Sequence, residues 1–348
     1  MSKELNEYEL PDLSYFEDKT ILITGASGLI GSQLINILSS TNYSFVCDCI
    51  INSKLEKWLD AVTKNDKRFE YCEIDLASWK DYDFSPRNYY DVIIHFATYG
   101  QPNIVFDKRN PQNQLKTIEL NTTATIKLFK LLKPNGKFLF MSSSEVYQGL
   151  EGIHKEEDIG TTTTTHSRSC YIEAKRCGEA VCNIYKEGGC NVKIVRLCLA
   201  YGAGVKRTDK RVLNKFIFEA LTENKISLLD DGSAMRTYCY VTDVINMSLN
   251  ILLHGKSFIY NVGGIERTTI KQIALNVGNV LKVPVVMPKD NDNKVTGASI
   301  ETRLDISKYL KEFKKENGMH KNFVPFNIGL KKTIEWCKFL IATEKKKE

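Results

Sequence analysis

A doubly wound, parallel α/β sheet followed by a smaller C-terminal α/β lobe is the fold class this sequence predicts, and three observations predict it. Short apolar, β-branched runs alternate with segments whose apolar residues recur at helical spacing, as in crossover-connected parallel strands. A glycine-rich turn, Thr24-Gly25-Ala26-Ser27-Gly28-Leu29-Ile30-Gly31, separates the first such run from the first helical segment. The conspicuous polar residues follow the runs directly, at the strand ends where open sheets of this kind bind ligands.

Residues 1–18 are polar, carry Pro11, and read as an extension outside the fold. Residues 20–23 read as a buried strand, and Leu34, Ile35 and Leu38 mark the helix that follows the glycines. In such a strand–turn–helix unit the first glycine permits the tight turn, the second lets a pyrophosphate approach the backbone, and the third lets helix and strand pack closely. The N–H groups of the helix start then face the phosphates. Gly25, Ser27, Gly28, Leu29, Ile30 and Gly31 are therefore the expected dinucleotide cradle. Residues 43–47 read as the second strand, ended by Asp48, 20 residues after Gly28. A carboxylate there would accept hydrogen bonds from the adenosine ribose and repel a 2′-phosphate, which favours NAD over NADP. A third strand, 69–74, ends at Asp75 and Leu76, positioned for the adenine edge.

Residues 91–96 form another apolar strand, followed by Ala97, Thr98 and a Gly/Pro loop at 100–102. Helical spacing runs from 115 to 132 with Asn121 inside it. The strand 137–141 leads into Ser142-Ser143-Ser144-Glu145-Val146-Tyr147. A threonine run at 161–165 reads as a surface segment near the site, since threonines alone build no core. A helix at 171–185 and a strand at 192–197 complete the first domain, 19–198, with 236–254 expected to return to it. Residues 199–235 and 255–348 are assigned to the smaller substrate lobe. There, helices are expected at 211–221, at 244–253 behind a Thr242-Asp243 cap, at 269–281 and at 328–341, with short strands between.

Bulk properties narrow the function classes. The 348 residues are 43% hydrophobic and 26% charged, an ordinary globular composition. The net charge of +6 suits a phosphorylated small molecule and gives no sign of nucleic acid binding. Part of it lies in the lysine-rich stretch 344–348, read as a solvated tail. The ten cysteines show no zinc-ligand spacing, so no metal site is expected. The first residues, MSKELNEYELPD, contain no apolar signal region, and no apolar run approaches membrane-spanning length. A cytoplasmic setting with reduced thiols and no membrane partner is the expectation.

Tyr171 and Lys175 lie four residues apart on one helical face. A phenol with its ordinary pKa near 10 is a poor base at neutral pH, and a neighbouring ammonium together with a positive nicotinamide ring favours the phenolate. Downstream of a dinucleotide turn and a serine at a strand end, this pair points to proton transfer coupled to hydride transfer. A dinucleotide-holding sensor on the same fold would have no use for an activated phenol.

TGASGLIG together with YIEAK resembles the extended short-chain dehydrogenase/reductase family, the NAD-dependent epimerases, dehydratases and decarboxylases of nucleotide sugars, which share a Rossmann-type fold. The resemblance covers nearly the whole chain. It implies that Tyr171 takes the proton from a sugar hydroxyl as hydride passes to NAD, that Ser143 hydrogen-bonds the same oxygen, that Lys175 reaches the nicotinamide ribose, and that Asn121 steadies the active-site helix beside the cofactor. It also implies a homodimer through the 115–132 and 171–185 helices. Within the family, SSSEVY, Arg168-Ser169-Cys170-Tyr171 with Glu173 and Lys175-Arg176, and Asp209-Lys210-Arg211-Val212 resemble the UDP-glucuronate decarboxylases. By the same resemblance Ser144, Arg211, Arg236 and Arg303 contact the nucleotide sugar, with Arg303 suited to its carboxylate, and Glu145 orients the sugar or moves a proton. After C4 oxidation a glucuronosyl unit is a β-keto acid and can lose CO₂. The same parts allow a 4,6-dehydratase or a 4-epimerase. Glucose-type dehydratases carry an aspartate where Ser144 stands, whereas mannose-type dehydratases carry Ser-Glu there as well. The family's asparagine in Arg-x-x-Asn-x-Tyr-Gly is Leu199 here, and Gln148 replaces the glycine usual after Val-Tyr.

Overall fold

The computed structural model describes residues 11–79, 87, 89–99, 110–288, 301–313 and 323–345. In chain order the elements are β1 (Lys19–Thr24), α1 (Leu29–Ser39), β2 (Phe45–Ile51), α2 (Lys57–Thr63), β3 (Phe69–Glu73), β4 (Tyr90–His95), α3 (Pro111–Asn121), α4 (Thr123–Phe129), β5 (Leu132–Ser143), β6 (Ile153–His154), α5 (Ser169–Glu187), β7 (Asn191–Leu197) and β8 (Leu199–Tyr201). There follow α6 (Val212–Glu223), β9 (Ile226–Ser227), β10 (Met235–Tyr240), α7 (Val241–His254), β11 (Ile259–Val262), β12 (Arg267–Thr269), α8 (Ile270–Leu281), β13 (Val285–Val286), β14 (Glu301–Leu304), α9 (Ser307–Glu312) and α10 (Phe326–Lys345).

Seven strands pair in parallel in the order β3-β2-β1-β4-β5-β7-β11. The central strands carry consecutive apolar residues, Ile21-Leu22-Ile23 in β1 and Val92-Ile93-Ile94 in β4, because helices cover both faces. Side chains alternate between two cores. Ile21, Ile23, Val92, Ile94 and Leu139 join one core with α1 and α7, through residues such as Leu34 and Val244. Leu22, Ile93, Phe138, Phe140 and Ile194 join the other, with Leu120, Leu128 and Val181 of α3, α4 and α5. The order reverses between β1 and β4, and the ligand crevice opens there. A smaller sheet, β12-β10-β14-β6 with β8 beside β10, and the β9–β13 pair form the second lobe.

Several boundaries differ from the sequence reading. Leu13 and Phe16 are buried in the core, and the Asp18 N–H donates to the Ser44 carbonyl at 2.6 Å, so residues 11–18 belong to the fold. The helical stretch expected over 115–132 breaks at Thr122, whose φ of −114° and ψ of −80° separate α3 from α4, and Leu132 already starts β5. The segment returning to the large sheet is α7 and β11, while β10 belongs to the small sheet. Asp243 lies inside α7, where its carboxylate accepts from the Val324 N–H at 2.9 Å instead of capping the helix. Thr269 does cap α8: its hydroxyl accepts from the Gln272 N–H at 3.1 Å, and the Gln272 side chain accepts in return from the Thr269 N–H at 2.9 Å. The Gly/Pro loop at 100–102 and the end of the lysine-rich tail, 346–348, lie outside the described residues.

One buried polar network fixes α5 against the sheet. Glu179 of α5 forms an ion pair with Arg196 of β7, both side chains under 10% exposed. Two guanidinium nitrogens reach the carboxylate at 2.7 and 2.9 Å, and the third donates to the Tyr147 hydroxyl at 2.9 Å and the Glu156 carbonyl at 3.0 Å. Ser142, at the end of β5, donates to the same carboxylate at 2.5 Å. The close approach of α5 also depends on Gly178. A Cβ there would lie 2.5 Å from the Phe140 ring and 2.8 Å from the Asn121 carbonyl oxygen.

Arg196→Met leaves the Glu179 carboxylate buried without its countercharge. We expect a loss of about 3–5 kcal/mol in urea unfolding, most of it recovered in the Arg196→Met/Glu179→Leu double variant.

Candidate active site

A cleft of about 1510 Å³ runs along the carboxyl ends of the central strands and under the second lobe. Its floor is the β1–α1 turn. Gly25 has a φ of +68°, and a Cβ on it would lie 2.7 Å from the Ala97 backbone nitrogen; one on Gly31 would lie 2.4 Å from the Gly25 carbonyl oxygen. Only glycine allows both approaches. Gly28 caps α1 without a side-chain bond, and the amides of the first turn, from Leu29 and Ile30 on, have no intrahelical partner. This bare, positively polarised helix end suits a pyrophosphate. Ser27 lines the same turn, Ala97 the end of β4, and Leu76 an apolar wall with Ile50 and Ile74. The cradle therefore fits a dinucleotide.

Asp48 is the expected cofactor residue that the structure moves. It stands in the middle of β2 and is fully buried; its carboxylate pairs with Arg87 and accepts from the Tyr90 hydroxyl at 2.5 Å. Burial and this carboxylate together push the Tyr90 phenol up. The strand runs on through Cys49, Ile50 and Ile51, so Asn52 and Ser53 occupy its end in the cleft. The Asn52 amide donates to the Tyr99 hydroxyl at 2.7 Å. Tyr99 in turn donates to Asp75 at 3.2 Å, and Asp75 is also held by the Lys116 ammonium at 2.7 Å. Asp75 does line the cleft, as the sequence suggests, but with its carboxylate already engaged.

At the far end, α5 and the end of β5 bring the expected catalytic groups together. Tyr171, Lys175, Ser143, Ser144 and Glu145 all line the cleft. Burial, and then the Glu145 carboxylate, push the Tyr171 phenol up to about 12, while the Ser143 hydroxyl, the Arg168 guanidinium and the Thr98 hydroxyl pull the other way. Lys175 is fully buried and donates to the Met141 carbonyl at 2.7 Å; its ammonium is 5.9 Å from the Tyr171 ring centre. Burial pushes it down to about 7, against the attraction of Glu179 one turn further along. The Ser143 hydroxyl accepts from the Glu145 N–H at 3.2 Å and so caps the short 3₁₀ turn Ser144–Tyr147. Asn121 lies outside the cleft lining: fully buried, it donates to the Thr117 carbonyl at 2.7 Å, and its own backbone carbonyl lies close to Gly178 of α5.

Three guanidinium groups face the phenol's end of the cleft. Arg211 is pinned by Asp209 at 2.9 Å, and Arg236 donates to the Met235 carbonyl at 2.7 Å. Burial chiefly, and the Arg168 charge as well, push Arg236 down. Arg168 clasps Glu145 with two guanidinium nitrogens, one of them at 2.7 Å. Arg303 is the expected substrate residue that does not reach this place: it lies in β14 opposite Ile153 of β6, outside the cleft lining among the described residues. Leu199 stands in the cleft wall, paired with Tyr238. Sequence reasoning assigned no role to Arg168 or Thr98, although each lies next to a residue it did single out. Among the described residues no His, Cys, Asp and Glu side chains form a metal-holding group, no helix is long and apolar enough to cross a membrane, and none of the ten cysteines is in a disulfide.

Residues 21–263 match the model of the NAD dependent epimerase/dehydratase family. The chain is 30% identical to UDP-glucuronic acid decarboxylase 1 of Danio rerio over 270 residues, 75% of this chain and 60% of that protein. It is 29% identical to UDP-glucuronic acid decarboxylase 6 of Arabidopsis thaliana over 274 residues, 76% of this chain and 75% of that one. The aligned region thus spans three-fifths of the length of the zebrafish relative. A UDP-glucuronic acid 4-epimerase from Bacillus cereus, solved with UDP-glucuronic acid and NAD, shares the fold with a TM-score of 0.74 at 23% identity, over 92% of this chain and 99% of that one.

The Lys175 environment predicts a pH dependence. An unfolded lysine titrates near 10.4 and the buried one at about 7. Between these values the unfolded chain holds more protons than the folded one, so the fold gains stability as pH rises. In dinucleotide-free protein, urea unfolding is expected to show wild type gaining on the order of 2 kcal/mol relative to Lys175→Met between pH 7 and 9. Parallel curves for the two proteins would contradict this environment.

Proposed function

Because the chain belongs to the NAD dependent epimerase/dehydratase family, we propose that it oxidises C4 of a nucleotide sugar and then decarboxylates it, with a UDP-glucuronate-like substrate. The observation that carries this reading is the juxtaposition of Ser143, Tyr171 and Lys175 with a carboxylate, that of Glu145, already clasped by Arg168. A guanidinium arranged to hold a carboxylate beside the phenol that takes the C4 hydroxyl proton is what a uronic acid needs. The decarboxylases among the relatives support the same choice.

Bound NAD supplies the hydride acceptor at C4 and returns the hydride at the end. The chain's own residues do the rest. Tyr171 removes the C4 hydroxyl proton, and Ser143 donates a hydrogen bond to the same oxygen. Lys175 offers its charge beneath the ring and moves the phenol toward its ionised form. With C4 a ketone, the C5–C6 bond breaks, its electron pair passes into the C4 carbonyl as an enolate, and the carboxylate departs as CO₂. C5 then takes a proton, for which Glu145 is the neighbouring group. Tyr171 gives its proton back to the C4 oxygen as C4 is reduced, and no net oxidation results. Arg211 and Arg236 supply the positive charge that a nucleoside diphosphate requires.

Incubation with NAD⁺ and UDP-glucuronate, followed by CO₂ trapping and product analysis, tests this. CO₂ with a UDP-pentose is expected. A C4 epimer without CO₂ would make the enzyme an epimerase, and a 4-keto-6-deoxy product from a neutral hexose nucleotide a dehydratase. Tyr171→Phe is expected to lower kcat by about 10²–10⁴-fold while retaining dinucleotide binding measured by calorimetry. A kcat within a few-fold of wild type would remove Tyr171 from the role given to it.

A further inference from the structure

The end of β2 differs from the sequence expectation in a way that bears on which coenzyme fits. In a strand–helix–strand unit of this kind, the adenosine ribose meets the carboxyl end of the second strand, where an acidic side chain selects NAD by rejecting a 2′-phosphate. Here that end carries Asn52 and Ser53, and the carboxylate expected to reject the phosphate, Asp48, is buried behind Tyr90 and Arg87. The Ser53 hydroxyl lies 3.2 Å from the Ser27 hydroxyl of the glycine turn. It also accepts a hydrogen bond from the Lys206 ammonium at 2.9 Å.

Lys206 is held in place rather than left to wander. It follows Val205, whose carbonyl accepts from the Trp336 indole of α10 at 2.9 Å, and Trp336 packs edge-on against Trp58 of α2 at 5.1 Å. Its ammonium is thus a fixed cation on the Ser53 hydroxyl, which in turn meets the Ser27 hydroxyl. The carboxylate facing it is that of Glu56, at 3.9 Å.

We propose that this seat, made by Lys206 with the Ser27 and Ser53 hydroxyls, takes the 2′-phosphate of a phosphorylated adenosine, so that the protein binds NADP(H) as well as NAD(H). The lysine supplies a charge-assisted hydrogen bond to the phosphate, the hydroxyls donate to its oxygens, and Asn52 adds no repulsion.

Calorimetric titration of the full chain with NAD⁺ and NADP⁺ tests this. Wild type is expected to bind NADP⁺ no more than about tenfold more weakly than NAD⁺. Lys206→Met should lower the ratio of NADP⁺ to NAD⁺ affinity by about tenfold or more, as loss of one charged hydrogen bond does. Ser53→Asp should lower the same ratio by placing a carboxylate at the ribose, and Glu56→Gln should raise it. Wild-type NADP⁺ binding weaker than that limit, or a Lys206→Met loss equal for both coenzymes, would overturn the proposal and assign Lys206 to the shared diphosphate. Binding of neither coenzyme would instead count against the dinucleotide site itself.

Discussion

The Arg196–Glu179 ion pair is the constraint on which the arrangement of the site depends. Tyr171, Lys175 and Glu179 succeed one another at four-residue intervals along one face of α5, so whatever fixes Glu179 fixes the other two. The pair is costly to bury, and its cost is offset because the remaining guanidinium protons and carboxylate lone pairs find partners in Ser142, Tyr147 and the Glu156 carbonyl. Two of those partners, Ser142 and Tyr147, bracket the segment that carries Ser143 and Glu145. One network therefore sets the helix bearing the phenol and the strand end bearing the hydroxyl in a common frame, and Gly178, with no side chain to strike Phe140, lets the helix sit close.

Within that frame burial favours the neutral form of Tyr171 and leaves Lys175 only weakly basic. The phenol becomes a base only when added positive charge favours its ionised form. In the proposed reaction this would tie proton removal to the presence of an oxidised coenzyme. In the proposed reaction the Arg168–Glu145 contact has a similar logic: a substrate carboxylate would compete with Glu145 for the guanidinium.

Much of this was legible in the sequence, for reasons that are themselves physical. The strands are apolar on both faces because both are covered, so Ile21, Leu22 and Ile23 announce a buried parallel strand without alternation. Gly25 and Gly31 stand where any side chain would strike backbone, and Tyr171 and Lys175 report their common face by spacing alone. Asp48 misled because its position fits a count of residues, whereas the strand continues for three more apolar residues. Arg168 carries no periodic signal; its meaning comes from where Glu145 lies across the cleft. Thr122 is helix-compatible by composition, and only its backbone torsions reveal the break. The polar leader around Leu13 and Phe16 concealed two residues that the core absorbs, since sparse apolar positions give no period to read.

The Trp336 anchor has a further consequence for how the protein is made. The cleft wall at Val205 and Lys206 is tethered by α10, far downstream of the glycine turn. During vectorial synthesis the glycine turn leaves the ribosome before the tether. A nascent chain can thus form its glycine turn while the wall at Val205 and Lys206 is still unsecured, so the whole cleft is in place only once α10 has emerged.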